Sequence, residues 1–403
     1  MLNSGSEAQP ATLSTPPHAV RNVRLYLAGL TASTLGDSAL SLVAGIWVKE
    51  LTGSSAAAAL VAVCIYAPSL LGPLAGLLAD RVRRRRLLMV TELAAGAAVL
   101  SLLLVSDRSW VWLIYAVMAL YGLSLVITDA AESALFAVML PTEVRAGVNG
   151  LRLTLTEGCK LLAPLIGAGL YALAGGGTVA ALDAGTFVVA ALSVSLLRFD
   201  EPKPVRDPAR GRWWAEAAEG FAHLWRVREL RVVCGAAAVA MYASGIAVAA
   251  QYSLVSALHH RPSFLGVLVS LLGLGSILAG LTSGWVVRRR GERWLVGLGL
   301  ANGAAWYLLG ATAWLPTVLA GRLVAGFALP WVVVGTATLV QRLTPDHLQG
   351  RAAAATTLLL FGPQPVAQAL GALAISVLDF RLVYVGMAGA GLAALAVLVR
   401  SQR

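Results

Sequence analysis

The stretch GLLADRVRRRR, residues 76–86, and the stretch GWVVRRRGER, residues 284–293, decide how this chain folds. Each closes one apolar run, crosses a cluster of arginines and leads into the next apolar run. Gly284 follows Gly76 by 208 residues, and Arg351-Ala352 follows Arg145-Ala146 by 206. Separate landmarks at one offset mean that two halves of the chain repeat the same plan.

Working outward from these loops, apolar runs fall at residues 25–48, 56–79, 87–105, 110–128, 148–174 and 179–197, then at 232–258, 264–287, 295–313, 315–340, 352–377 and 382–399. A helix needs roughly 20 apolar residues to cross a bilayer, so these are six spans followed by six. Composition agrees. Of 403 residues, 58% are hydrophobic and 13% charged, with mean hydropathy +0.77, whereas an ordinary soluble domain is about 45–50% apolar and about 25% charged. A soluble enzyme, a secreted domain and a disordered chain are excluded. The fold class is an all-α integral membrane protein, with two six-helix bundles at 25–198 and 232–400.

The net charge of +11 implies no nucleic-acid partner, because the arginines gather in the connectors on one side, as cytoplasmic loops do. Arg81, Arg83, Arg84, Arg85, Arg86, Arg288, Arg289, Arg290, Arg293, Arg342 and Arg351 lie there, against Lys49, Arg108, Arg261 and Arg381 opposite. Both termini are therefore expected in the cytoplasm. Residues 1–24 read as a disordered tail rich in Ser, Thr and Pro, without the apolar core of a signal peptide. Residues 199–231 read as a linker that turns amphipathic, with Trp214, Ala218, Phe221 and Trp225 at helical spacing, as in a helix lying in the inner interface.

The three cysteines and five histidines show no disulfide framework, metal-ligand spacing or nucleophile–base pairing. No nucleotide-binding motif appears either, so neither a cofactor, a bound metal nor ATP coupling is expected.

On these residues the sequence resembles the major facilitator superfamily, within it the drug:proton antiporter branch that contains macrolide-efflux proteins and the enterobactin exporter. The likeness is carried by residues 33–55, 67–81, 129–135 and 149–169. It implies the major facilitator fold, with twelve helices as two pseudo-symmetric bundles, working as a monomer. It also implies a gating role for the loop of Gly76, Asp80, Arg81, Arg84 and Arg85. Gly76 admits a close neighbouring helix. Asp80 accepts from the N-terminus of a helix near Ala352, and Arg84 and Arg85 meet Asp129 or Glu132, forming a latch when the inner side closes. The second copy has Arg288 where the aspartate stands in the first, so the latch is lopsided.

Charges within spans cost a few kcal/mol each and ask for a reason. Asp37 stands 12 residues into the first span, about 18 Å deep at about 1.5 Å per residue. It is the leading candidate for proton coupling and, through the resemblance, for lining the substrate cavity. Its counterpart region, Ser244 and Gly245, is uncharged. Glu157, three residues before Lys160 on one helix face, is either a second proton site or half of a structural pair. Gln251 and Arg322 are candidate substrate contacts. The expectation is proton-coupled efflux of a small amphipathic drug or secondary metabolite across a bacterial inner membrane. A siderophore or metabolite exporter and a lysophospholipid transporter of the same fold are alternatives, and a membrane enzyme or a non-transporting sensor would lack this flux.

Overall fold

The computed structural model describes residues 17–139, 142–198 and 213–401; a few side chains within them, that of Asp80 included, lie outside the description. The first span is α1 (Pro17–Thr52). The second is broken into α2 (Ser55–Tyr66) and α3 (Gly72–Arg81) by a 3-10 turn over Ala67–Leu71, where Pro68 has no N–H to continue the ladder. The third and fourth are α4 (Arg84–Leu100) and α5 (Val111–Met139).

Helix α6 (Thr142–Ser195) carries both the fifth and the sixth span. Its break is Gly175, at φ 76 and ψ 176, a conformation glycine adopts without steric cost. Before the break, Cys159, Gly167 and Tyr171 lie against Thr31, Ala39 and Glu50 in ascending order; after it, Asp183 and Ser193 lie against Gly36 and Gly29 in descending order. The chain turns back at Gly175.

After α7 (Trp213–Arg226) come α8 (Arg228–Ala257), α9 (Leu265–Arg290), α10 (Glu292–Ala311) and α11 (Leu315–Leu343). The eleventh span is again two pieces, α12 (Gln349–Phe361) and α13 (Gln364–Val377), parted at Pro363, and α14 (Phe380–Arg400) is the last. Counting each broken helix as one crossing, the described residues make twelve spans, six to a half.

Three expectations shift. Helix α1 begins at Pro17, so residues 17–24 are helical rather than tail, while residues 1–16 lie outside the described ones. The second half begins at Arg228 rather than 232. The face of α7 packed on the bundle is only partly the expected stripe: Phe221 packs on the C-terminal cluster beside the fully buried Leu224 and Gly220 meets the Arg351 carbonyl, whereas Ala218 and Trp225 are exposed. Trp214 falls among the side chains outside the description. Small residues let α7 seat against α12, with Glu219 paired to Arg351 beside them.

The apolar core shows how the halves meet. One large cluster runs through both, joining Val43, Ile46 and Met118 to Tyr252, Leu265 and Trp306. Ala59, Ala249 and Ala372 add a contact of small side chains, the means by which lipid-embedded helices approach closely. Toward the arginine-rich end each half has its own separate cluster, around Leu88 and Leu135 in one and Leu230 and Leu339 in the other. The halves are thus joined away from the arginine-rich side and part toward it.

Candidate functional site

The N-terminal half encloses a cavity of about 170 Å³ between α1, α4, α5 and the returning limb of α6. Asp37, Glu92 and Glu132 line it, with Ser33, Ser124 and Thr128 among them. The Ser33 hydroxyl, one turn back on α1, donates to Asp37 Oδ2 at 3.2 Å, and the Tyr121 hydroxyl lies beside the same group. Asp37 Oδ1 is sealed and accepts no hydrogen bond. Asp183, 1% exposed, stands behind Asp37; Thr186 donates to its Oδ1 at 3.2 Å and its Oδ2 has no partner. Glu92, 7% exposed, keeps an unpartnered Oε2. Of the four acids, Glu132 has a cation, Arg152 at 3.4 Å.

Gly36 makes this grouping possible. A Cβ there would strike the Asp183 carboxylate and the Thr186 hydroxyl, so α1 and α6 close up at this point and bring Asp183 against the neighbour of Gly36, Asp37.

The C-terminal half holds a second cavity, of about 700 Å³, lined by α8, α9, α10, α11, the end of α12, α13 and α14 with Tyr66 and Ser69 of the second span. Arg322 and Gln251 sit together in it, Nη2 donating to Oε1 at 2.9 Å. Gln364 donates to the Met241 carbonyl at 2.9 Å, and Gln368 is buried with its Oε1 unpartnered. Gly245, Gly299 and Gly391, which line this cavity, follow Asp37, Glu92 and Asp183 by 208, 207 and 208 residues. Where one half carries acids, the other carries no side chain, and space replaces charge.

A family model of the Major Facilitator Superfamily matches residues 26–246 and 232–403, both halves in turn. This chain belongs to the Major Facilitator Superfamily. It is a multi-pass membrane transporter of small-molecule substrates, not an enzyme. It is 26% identical to "Multidrug efflux pump Tap" of Mycolicibacterium fortuitum, over 85% of this chain and 86% of that one. It is 23% identical to "Macrolide efflux protein A" of Streptococcus pyogenes, over 42% of this chain and 43% of that protein. Among solved structures, the nucleoside transporter NupG superposes with a TM-score of 0.73 at 12% identity, covering 95% of this chain and 98% of that one, which shows the shared fold.

For this superfamily member, the structure separates residues that the sequence reading grouped. Asp37 lies in the N-terminal cavity, Gln251 and Arg322 in the C-terminal one, so the three do not line one chamber. Glu157 joins neither; it is exposed and holds Lys160 at 2.9 Å. In the gating loop, a Cβ on Gly76 would meet no atom within 4 Å, so no helix crowds it while the halves are parted. Arg81 is exposed, and Arg85 donates to the Ser195 carbonyl at the end of α6. Arg84 is half-buried, Asp129 is exposed and Glu132 is buried. The expected contact of Asp80 falls outside the described side chains. Ala352, its anticipated partner region, is buried in the C-terminal cluster with Leu224. Sequence reasoning missed Glu92 and Asp183. The signal was present, since each is an acid inside an apolar run, as Asp37 is.

Proposed function

We propose that this protein exports a small amphipathic molecule from a bacterial cytoplasm by alternating access, driven by protons that enter through the N-terminal pocket. The arginine-rich side is then cytoplasmic, with both termini on it, and the parted ends of the halves open toward the cell interior. The export direction follows the two relatives named as efflux proteins.

Asp37 carries the proposal. It sits mid-span with one oxygen sealed and unpartnered, beside Asp183 and within a pocket that also holds Glu92 and Glu132. A carboxyl group without a counter-ion at membrane depth is tolerated where a proton or cation can reach it. Asp129 and Glu132 at the pocket's arginine-rich end offer a way in. When the inner side closes, the loop of Gly76, Asp80, Arg84 and Arg85 latches one half to the other, which is the step that commits a proton and a substrate to opposite faces.

The test is flux of a fluorescent amphipathic dye in vesicles carrying an imposed proton gradient, with and without an uncoupler. Wild type should move dye against its gradient and dissipate the proton gradient. Asp37→Asn should lose both while still binding dye. Undiminished gradient-driven flux in Asp37→Asn would overturn the assignment.

A further inference from the structure

The C-terminal cavity contains a cation that the protein leaves without an anion. Arg322 is 5% exposed, yet its guanidinium spends two of five N–H groups on the protein: Nε on the Leu268 carbonyl at 3.1 Å and Nη2 on Gln251 at 2.9 Å. Its Nη1 makes no protein hydrogen bond and is not sealed, so it is reached from the cavity. Trp306 presents its ring face at 5.0 Å. Among the described residues no carboxylate pairs with Arg322, and the acids of the C-terminal spans, Glu229, Glu292, Asp346 and Asp379, all stand at helix ends away from it. A buried cation without a counter-charge is costly, and this one is held in place by two hydrogen bonds rather than swung out to water.

The surroundings define what would complete it. The cavity volume is that of a drug-sized ligand site. Its walls are largely alanine, glycine, leucine and aromatic residues, with the amide-bearing Gln364 and Gln368 among them. An aromatic body fits beside Trp306 and Tyr307, and a planar guanidinium matches a carboxylate or similar oxyanion through paired hydrogen bonds. No acid lines this cavity to attract a cationic drug.

We propose that Arg322 receives the anionic head of a hydrophobic, ring-bearing substrate, so that the transported class is hydrophobic anions rather than lipophilic cations. The transport role rests on the efflux proposal above; the binding site does not.

Fluorescein and rhodamine 123 share a ring system and differ in charge, which makes them a matched pair. Their binding is read by fluorescence anisotropy on the purified full chain in phosphatidylcholine nanodiscs. Fluorescein should bind the more tightly, and Arg322→Gln should weaken it by about tenfold or more, the scale of a charge-assisted contact, leaving rhodamine 123 unchanged. Gln251→Glu, nearly isosteric, should hand Arg322 an internal carboxylate and weaken fluorescein likewise, which keeps the test alive if Arg322→Gln does not fold. Tighter binding of rhodamine 123, or fluorescein affinity unchanged in the folded variants, would overturn the proposal. Adding phosphatidylglycerol separates two sources of the anion: competition that vanishes in Arg322→Gln identifies a lipid phosphate, and persistence of fluorescein binding identifies a soluble anion. Fluorescein that binds through Arg322 but ignores a proton gradient leaves this site standing and removes the proton-coupled reading. Proton-driven flux of rhodamine 123 alone does the reverse.

Discussion

Asp183 on the returning limb of α6 packs against Gly36 of α1, the residue before Asp37, and no cation pairs with either acid among the described residues. Ser33 and Thr186, which donate to them, belong to their own helices, and the Tyr121 hydroxyl of α5 lies beside Asp37 as well. A change in the charge of one is felt by the other, because charges interact more strongly in the protein interior than in water.

Two acids that work as one unit should fail as one. Asp37→Asn and Asp183→Asn are each expected to lower proton-driven dye flux by about tenfold or more, and the double variant to fall no further than the worse single one. Initial flux rates in vesicles check this. Losses that multiply would show the two carboxyl groups acting independently.

Gly36→Ala should destabilise the N-terminal half. The added methyl would fall 2.5 Å from Thr186 Oγ1 and 3.1 Å from Asp183 Cγ, and overpacking of this kind costs about 1–3 kcal/mol. Thermal unfolding in detergent should show a lower midpoint. Gly185→Ala is the control, since nothing lies within 4 Å of that site, and it should leave the midpoint in place.

The Arg152–Glu132 pair joins α6 to α5 at 3.4 Å, with side chains 33% and 11% exposed. Removing the cation alone leaves Glu132 buried without it. Arg152→Ala should cost about 1–2 kcal/mol, less than a fully buried pair because water still reaches the arginine. Glu132→Gln should cost less, and adding it to Arg152→Ala should recover part of the loss. The readout is again the unfolding midpoint, and equal costs for both single variants would contradict the account.

Much of the architecture was legible in residue order. Twelve crossings, the repeat of the halves and the helical form of α7 all follow from hydropathy and short-range periodicity. Two local details were not: the early start at Pro17, where polar residues continue a helix that leaves the apolar run, and the buried face of α7. Leu224 rather than Trp225 faces inward because α12 offers a seat for small residues there, and amphipathicity alone does not say which partner a helix meets.

Hydropathy is a property of each segment by itself, because every backbone group in a lipid-crossing helix is satisfied within that helix, so residue order was enough to settle the spans and their pairing into halves. Neighbours are a property of helices together. That Glu92 and Asp183 join Asp37, that Arg322 meets Gln251 in a separate chamber, and that the halves part toward the arginine-rich end were decided only in three dimensions. There the close approach allowed at Gly36 and the contacts of Ala59, Ala249 and Ala372 fix which faces of distant segments come together.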